Sequence, residues 1–317
     1  MELSIVVPVF NEEENVEPLI REIHSVVSSL EKDYEIIAVD DGSRDGTFEV
    51  LSRLHRSQPA LHVIRLKRNF GQTAALAAGL AYARGEIIVL MDGDGQNDPA
   101  DIPALLANIE QGNDLVVGWR FKRQDPFLNR RLPSMIANRL ISWTTKVKLH
   151  DYGCTLKAMR KDIAKSLKLY GEMHRFIPAI AYERGARVAE IKVNHRPRVH
   201  GRSKYGITRT LRVVLDLLTV KFLTSYSTRP AHVFGPIGII SGLAGFAIAL
   251  YLTVQKFIYD LEIGNRPLLL LSILLMFIGF QFVTMGLLGE MLARTYHESQ
   301  DRAVYVIGDV LQSGGRT

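Results

Sequence analysis

Two stretches near the end of the chain contain no Asp, Glu, Lys or Arg: one lies between Arg229 and Lys256, the other between Arg266 and Glu290. Each exceeds the ~20 apolar residues an α-helix needs to cross the hydrocarbon core of a bilayer. "VFGPIGIISGLAGFAIALYLTV" and "PLLLLSILLMFIGFQFVTMGLLG" therefore read as two transmembrane helices rather than a pair of buried core helices. The connection between them, "QKFIYDLEIGN", is short and nearly neutral, whereas basic residues gather in 1–229 and at Arg294 and Arg302. The positive-inside rule then puts the folded N-terminal part and both termini in the cytoplasm, as expected of an integral protein of the inner or plasma membrane. Acids and a strand pattern at the Met1 end, in place of a basic n-region, argue against a signal peptide.

Ahead of those helices, residues 1 to about 118 alternate strand and helix patterns. "LSIVVPVF", "YEIIAVDDGS", "LHVIRLKRN", "EIIVLMDGDG" and "DLVVGWR" are strand-like. Helix-like segments separate them, including "GTFEVLSRLHRS", the small-residue run "GQTAALAAGLAYARG" and "PADIPALLANIEQG". Asn11 with Glu14 three residues on predicts a capping box that opens the first helix. This rhythm predicts an α/β fold with a doubly wound, mostly parallel sheet, in which ligands bind beyond the carboxyl ends of the strands. Asp40, Asp41, Asp92, Asp94 and Arg120 all fall at those ends. The tail "AVYVIGDV" reads as an added edge strand.

From Arg120 to Lys148 the chain turns basic against the single acid Asp125, and from Lys192 to Arg212 it has no acid at all. Segments 127–148 and 207–228 mix charge with Leu, Ile and aromatic residues, as in amphipathic helices lying at a bilayer interface, with Trp143 and Tyr226 as anchors. The net charge of +6 is thereby assigned to lipid headgroups and phosphorylated substrates rather than to nucleic acid. One cysteine, Cys154, excludes an internal disulfide and reads as a small packing residue. His174 and His200 read as polar surface residues. Gly238 and Gly242 form a GxxxG in the first span, with Gly286 and Gly289 in the second, a pattern that packs or oligomerises such helices.

The chemistry concentrates in "DGDGQ". Asp92 and Asp94 alternate along an extended chain and so share a face, with Gln96 joining them if the extension persists. Two carboxylates at one spot raise each other's pKa unless a cation lies between them, which points to Mg²⁺ or Mn²⁺ carrying a diphosphate. Asp40 and Asp41 in "AVDDGSRDGT" either cap the following helix or accept hydrogen bonds from a base imide and a ribose hydroxyl. With no GxGxxG after a strand and no GxxxxGK[ST], neither a Rossmann dinucleotide enzyme nor a P-loop ATPase is indicated.

"SIVVPVFNEEENV", "VDDGSRDGT", "RNFGQTAALAAGL" and "DGDGQNDP" together resemble the inverting family-2 glycosyltransferases of GT-A fold. "DYGCTLKAMRK", "HRPRVHGRSKYG" and the two spans narrow the resemblance to polyprenyl-phosphate glycosyltransferases. That group includes dolichol-phosphate mannose synthase and the enzyme that loads 4-deoxy-4-formamido-arabinose onto undecaprenyl phosphate. The resemblance implies that Pro8, Phe10, Asn11 and Glu12 line a nucleotide pocket with Asp40 and Asp41. It also implies that Asp92, Asp94 and Gln96 hold the metal, and that Arg198, Ser203 and Lys204 close over the donor phosphates. Arg120, Arg130, Arg131 and Ser134 would cradle the lipid phosphate. Catalysis is then expected from Asp92, Asp94, Arg120, Arg198 and Lys204, with a nucleotide sugar, a UDP-sugar for preference, and polyprenyl phosphate as substrates in a homotetramer. Residues 1–206 would be the GT-A catalytic domain, 207–230 an interfacial helix, 231–293 the transmembrane pair and 294–317 a cytoplasmic tail.

Two departures from the family pattern stand out. The common "DADLQ" is "DGDGQ" here, and Cys154 occupies the place of a carboxylate proposed as a base in some relatives. A processive polysaccharide synthase of the same fold would carry a Q-x-x-R-W element, which this chain lacks, its only tryptophans being Trp119 and Trp143. A non-catalytic nucleotide-sugar binder would not need both acids and the basic clamp.

Overall fold

The structure is a computed structural model that describes residues 1–121, 147, 149–169, 173–197, 231–259, 267–299 and 304–312. The described residues fall into two compact units, one holding everything up to 197 together with 304–312, the other the two long helices.

In the first unit β1 (Leu3–Val9), α1 (Glu13–Ser28), β2 (Tyr34–Asp40), α2 (Thr47–Ser57), β3 (Leu61–Leu66), α3 (Gln72–Tyr82) and β4 (Ile87–Leu90) alternate as the apolar runs predict. After a short 3₁₀ turn come α4 (Ile102–Glu110), β5 (Leu115–Arg120), β6 (Lys157–Arg160), α5 (Lys161–Ser166), α6 (Ile177–Glu183) and β7 (Val188–Val193). The chain closes with β8 (Ile307–Leu311). These strands form one sheet in the order β7-β5-β6-β4-β1-β2-β3-β8. β1 pairs in parallel with β2 and β4, β2 with β3, and β5 with β7. β6 runs antiparallel to β4 and β5, and β8 antiparallel to β3.

β1 to β3 are buried nearly throughout, which is why they read as continuous Val, Ile and Leu runs rather than as an alternation. The small residues of α3 serve close packing: a Cβ on Gly79 would overlap Val6 and crowd Val39 on the sheet beneath. Because the chain builds β1-β2-β3 outward and then places β4 on the other side of β1, the order reverses between β1 and β4. A crevice opens at such a switch point, beyond the carboxyl ends of the two strands.

The capping box does not form. α1 begins at Glu13, and Asn11 sits before it with φ 54. The Asn11 side-chain oxygen accepts from Arg44 N at 2.8 Å, and its backbone N–H donates to Ser43 Oγ at 2.9 Å. The residues that look like a cap in sequence thus tie the β1 loop to the β2 loop across the sheet.

The second unit pairs α7 (Ala231–Tyr259) with α8 (Pro267–Ser299). Their apolar cores run Phe234–Ile258 and Pro267–Gly289, of which only 17% and 11% are buried. Side chains such as Ile240, Phe257, Leu270 and Phe280 are exposed, so the rest of the described chain does not cover these apolar faces. Both are long enough to span a bilayer.

Candidate active site

β4 ends at Leu90, and the chain turns through Gly93 to Gly95, the latter at φ 72, so the two acids stand on a loop at the switch point. Asp92 is half-buried and held from both sides: Gln72 Nε2 donates to its Oδ1 at 2.6 Å, and Thr155 Oγ1 to its Oδ2 at 2.6 Å. Burial, then the charge of Asp94, pushes the Asp92 carboxyl up to about 6, against the opposing pull of Thr155, Lys157 and Arg120. Asp94 Oδ1 accepts from Gln96 N at 3.1 Å. The charge of Asp94 thus weighs on the Asp92 carboxyl, and two such hard oxygen donors fit a divalent cation. Among the described residues no group of three or more His, Cys, Asp or Glu side chains is gathered as a metal site.

Gln96 stands on the same loop as the two acids. The extended geometry that would put it on their face stops at Leu90, and its Nε2 donates to the Arg196 carbonyl at 3.4 Å. That bond belongs to a junction between two segments. Arg196 N donates to Gln96 O at 2.9 Å, Asn97 bridges His195, and the Arg196 guanidinium pairs with Glu22 at 2.7 Å and Asp98 at 2.8 Å. The segment leading into Arg198, Ser203 and Lys204 therefore starts beside the acidic loop. Those three residues, with Arg130, Arg131 and Ser134, the segment 127–148 apart from residue 147, the segment 207–228 and His200, lie outside the described residues.

Around the β1 and β2 ends, Pro8 is buried in β1 opposite Val39, and Phe10 is half-buried just beyond it. Glu12 N donates to Thr47 Oγ1 at 2.9 Å while its carboxylate accepts from Asn15. Asp40 is fully buried; its Oδ1 accepts from Ser43 N at 2.9 Å, and its Oδ2 faces Arg65 Nε at 3.7 Å. Asp41 is expected in the nucleotide pocket, but its carboxylate is committed to the protein. Phe70 N donates to one oxygen at 2.7 Å, and Gly71 N and Asn69 Nδ2 donate to the other at 2.9 Å. It holds the loop that delivers Gln72 to Asp92. Burial raises the pKa of both Asp40 and Asp41.

Arg120, at the end of β5, is gripped by Asp151 through two bonds of 2.6 and 2.9 Å. Its guanidinium has five N–H donors, so capacity for a phosphate remains after that fork. Asp151 is itself fixed, accepting from Gly153 N while its own N–H donates to Glu190. Cys154 is buried, and burial pushes its thiol up to about 11. Lys157 beneath it is buried too, donates to the Cys154 carbonyl, and has its pKa lowered by desolvation. His174 is not at the surface: it is buried, with Nδ1 2.8 Å from Thr73 Oγ1 on α3.

Sequence reading missed Thr155, Asp151, Lys157 and Arg196, and it met Gln72 only as one letter of "RNFGQ". Their partners are distant in the chain, Thr155 being 63 positions from Asp92 and Arg196 98 from Asp98. No local periodicity encodes such contacts.

A family model described as "Glycosyl transferase family 2" matches residues 4–168, a span that contains β1 to β6 and both acids. Dodecaprenyl-phosphate galacturonate synthase from Rhizobium johnstonii is 47% identical over 314 residues, which cover 98% of this chain and 93% of the relative. The chain belongs to glycosyl transferase family 2. As a family-2 glycosyltransferase it is also similar to the undecaprenyl-phosphate 4-deoxy-4-formamido-L-arabinose transferase of Shewanella sediminis, at 39% identity over 98% of this chain and 92% of that one. Among solved structures, glucosyl-3-phosphoglycerate synthase from Mycobacterium tuberculosis, in complex with Mn²⁺, UDP and phosphoglyceric acid, superposes with a TM-score of 0.56 at 21% identity. That match covers 69% of this chain and 78% of the other, and shows the shared GT-A fold.

Proposed function

We propose that this glycosyltransferase moves a sugar, with inversion, from a nucleoside-diphosphate donor to polyprenyl phosphate at the cytoplasmic face of the membrane. The observation that carries the reading is the placement of Asp92 and Asp94 on the loop after β4 at the β1/β4 switch point, with the Asp92 carboxylate held from both sides by Gln72 and Thr155. The near-full-length relatives named for polyprenyl-phosphate substrates supply the acceptor class. We take uridine as the nucleoside, since the fold neighbour shows that such a sheet can seat UDP with Mn²⁺.

Asp92 and Asp94 would hold Mg²⁺ or Mn²⁺, and that ion, when bound, neutralises charge on the departing diphosphate. Gln72 and Thr155 keep Asp92 aimed, and the Arg196 junction fixes the chain two residues ahead of Arg198 beside the acidic loop, so Arg198, Ser203 and Lys204 would serve the donor phosphates. The acceptor needs little activation. A phosphate monoester has its second pKa near ~6 and is largely dianionic at neutral pH, so its oxygen can attack the anomeric carbon as the bond to the diphosphate oxygen breaks. No general base is required of Cys154, whose thiol at about 11 stays neutral. Arg120, oriented by Asp151, would take the lipid phosphate through its remaining donors.

The test is direct. Full-length protein, undecaprenyl phosphate, a panel of nucleotide sugars and Mn²⁺ or Mg²⁺ should yield a lipid-linked sugar identifiable by mass. Asp94→Ala should lower its formation by about 10²-fold or more. Normal turnover by that variant would refute the metal assignment, and polymer in place of a single-sugar lipid would refute the reaction.

A further inference from the structure

Asp151 and Thr155, which hold Arg120 and Asp92, stand on one short turn that leads into β6. Asp151 takes the Arg120 fork on its two oxygens, and Thr155 Oγ1 donates to Asp92 Oδ2. β6 enters the sheet between β4, whose following loop carries Asp92, and β5, which ends at Arg120. A single segment therefore touches both the residue assigned to the metal and the residue assigned to the lipid phosphate. Whatever fixes that segment fixes both.

The turn is tied at each end. Asn97 Nδ2 donates to Thr155 Oγ1 at 3.1 Å, which leaves the hydroxyl proton of Thr155 for Asp92. Asp151 accepts from Gly153 N at 3.1 Å, and its own N–H donates to Glu190 Oε1 at 3.0 Å. Between these ends Cys154 is buried and closely packed: a Cβ on Gly118 of β5 would stand 3.0 Å from its Sγ and 3.1 Å from the Leu156 carbonyl. A backbone carbonyl buried there needs a donor. Lys157 Nζ supplies it to the Cys154 carbonyl. Lys157 opens β6, is 2% exposed, and lies in register with Leu90 on β4 and Val117 on β5.

Stability does not account for a lysine in this place. Taking an ammonium out of water is costly, and exchanging buried charged groups for apolar ones of similar volume is often neutral or stabilising. Among the described residues no carboxylate lies within ion-pair distance of Lys157, so its hydrogen bond goes to the turn. We propose that Lys157 is a positioning residue for both substrates: by fastening the Cys154 carbonyl it holds the turn from which Asp151 aims Arg120 and Thr155 aims Asp92. This deepens the transferase reading above and rests on it. Donor and acceptor sites are thereby set in one frame, as attack at a fixed distance and angle requires.

The signs of two binding measurements separate fastening from charge. Removal of a cation near both ligands would, by charge alone, tighten Mn²⁺ and loosen a phosphate. Release of the turn loosens both. Full-length protein in detergent is used at pH 8, above the value of about 6 at Asp92. Mn²⁺ affinity is read by electron paramagnetic resonance, and lipid affinity by equilibrium binding of radiolabelled undecaprenyl phosphate. Lys157→Met should weaken both about tenfold, the scale seen when a metal ligand loses its outer support. Lys157→Gln keeps an N–H donor without the charge; it should lose less of each, and it decides by the same signs where the Met variant does not fold. Thr155→Val should weaken Mn²⁺ alone, and Asp151→Asn the lipid alone. Tighter Mn²⁺ binding in either Lys157 variant, or wild-type affinity for either ligand in a folded Lys157→Met, overturns the proposal while leaving the transferase reading intact. A wild type that binds neither Mn²⁺ nor undecaprenyl phosphate, and makes no lipid-linked sugar, overturns both.

Discussion

Carboxylates at the two ends of the sheet are treated in opposite ways. At the amino end of β2, Glu35 is buried and accepts from Ser4 Oγ at 2.6 Å, Arg84 N at 2.7 Å and Arg84 Nε at 2.9 Å. Burial would raise its pKa, but the bonds from Ser4 and Arg84 outweigh it and the net shift is downward. Asp114, at the amino end of β5, is drawn down to about 2 by Arg187 and Arg160. At the carboxyl ends, Asp40, Asp41 and Asp92 are all shifted upward, with burial the leading cause. The amino end therefore stabilises the fold, while the rim keeps ionisation that a ligand can relieve. A carboxylate with a lowered folded pKa adds stability that is present above its unfolded value, 4.5 for Glu35, and is lost as pH falls through the folded one. Glu35→Gln should therefore destabilise the protein by about 1–3 kcal/mol at pH 7, and the gap to wild type should narrow on acidification below that value. Thermal melts in detergent across pH check it, and a gap that widens in acid would contradict the assignment.

Elements were legible in proportion to their apolar length. β1 to β5 and both long helices stand out because each is a run of Val, Ile, Leu or Ala with clear ends. β6 did not: it is the four residues Lys157–Arg160, with a lysine turned into the core, so neither alternation nor hydrophobicity marks it. The acids Asp92 and Asp94 were visible as a pair, but the strand periodicity that grouped them with Gln96 does not extend past Leu90, and all three stand on the loop beyond it. Contacts between the long helices were half legible. Gly238 lies at the closest approach, where a Cβ would meet the Gly279 carbonyl at 2.7 Å, whereas a Cβ on Gly242 would touch nothing within 4 Å. The partner glycine, Gly279, is isolated in sequence, yet a Cβ there would meet Gly242 N at 2.6 Å. Gly279→Leu should force α7 and α8 apart and cost about 1–3 kcal/mol, while Gly242→Ala should be tolerated. Comparing the two variants' melting and protease resistance in detergent checks the pairing, and the reverse order would refute it.

At the scale of the molecule, the decisive connection is the pairing of β8 with β3. β3 precedes the two long helices and β8 follows them, yet both belong to one sheet. A hydrogen-bonded sheet cannot be divided across a bilayer, so if the two long helices cross one, their two crossings return the chain to the compartment it left, as one or three would not. Charge supplies the compartment we propose: by the positive-inside rule the basic residues of 1–229, with Arg294 and Arg302, favour the cytoplasmic side. The only native thiol, on Cys154, is buried, so introduced cysteines report without interference. In intact cells a membrane-impermeant maleimide should label Asn265→Cys, in the connection between the helices, and should reach Gln312→Cys, just past β8, only after permeabilisation. Labelling of Gln312→Cys in intact cells, or protection of Asn265→Cys, would reverse the orientation. It would also separate the donor site from the cytoplasmic nucleotide pool on which the proposed reaction depends.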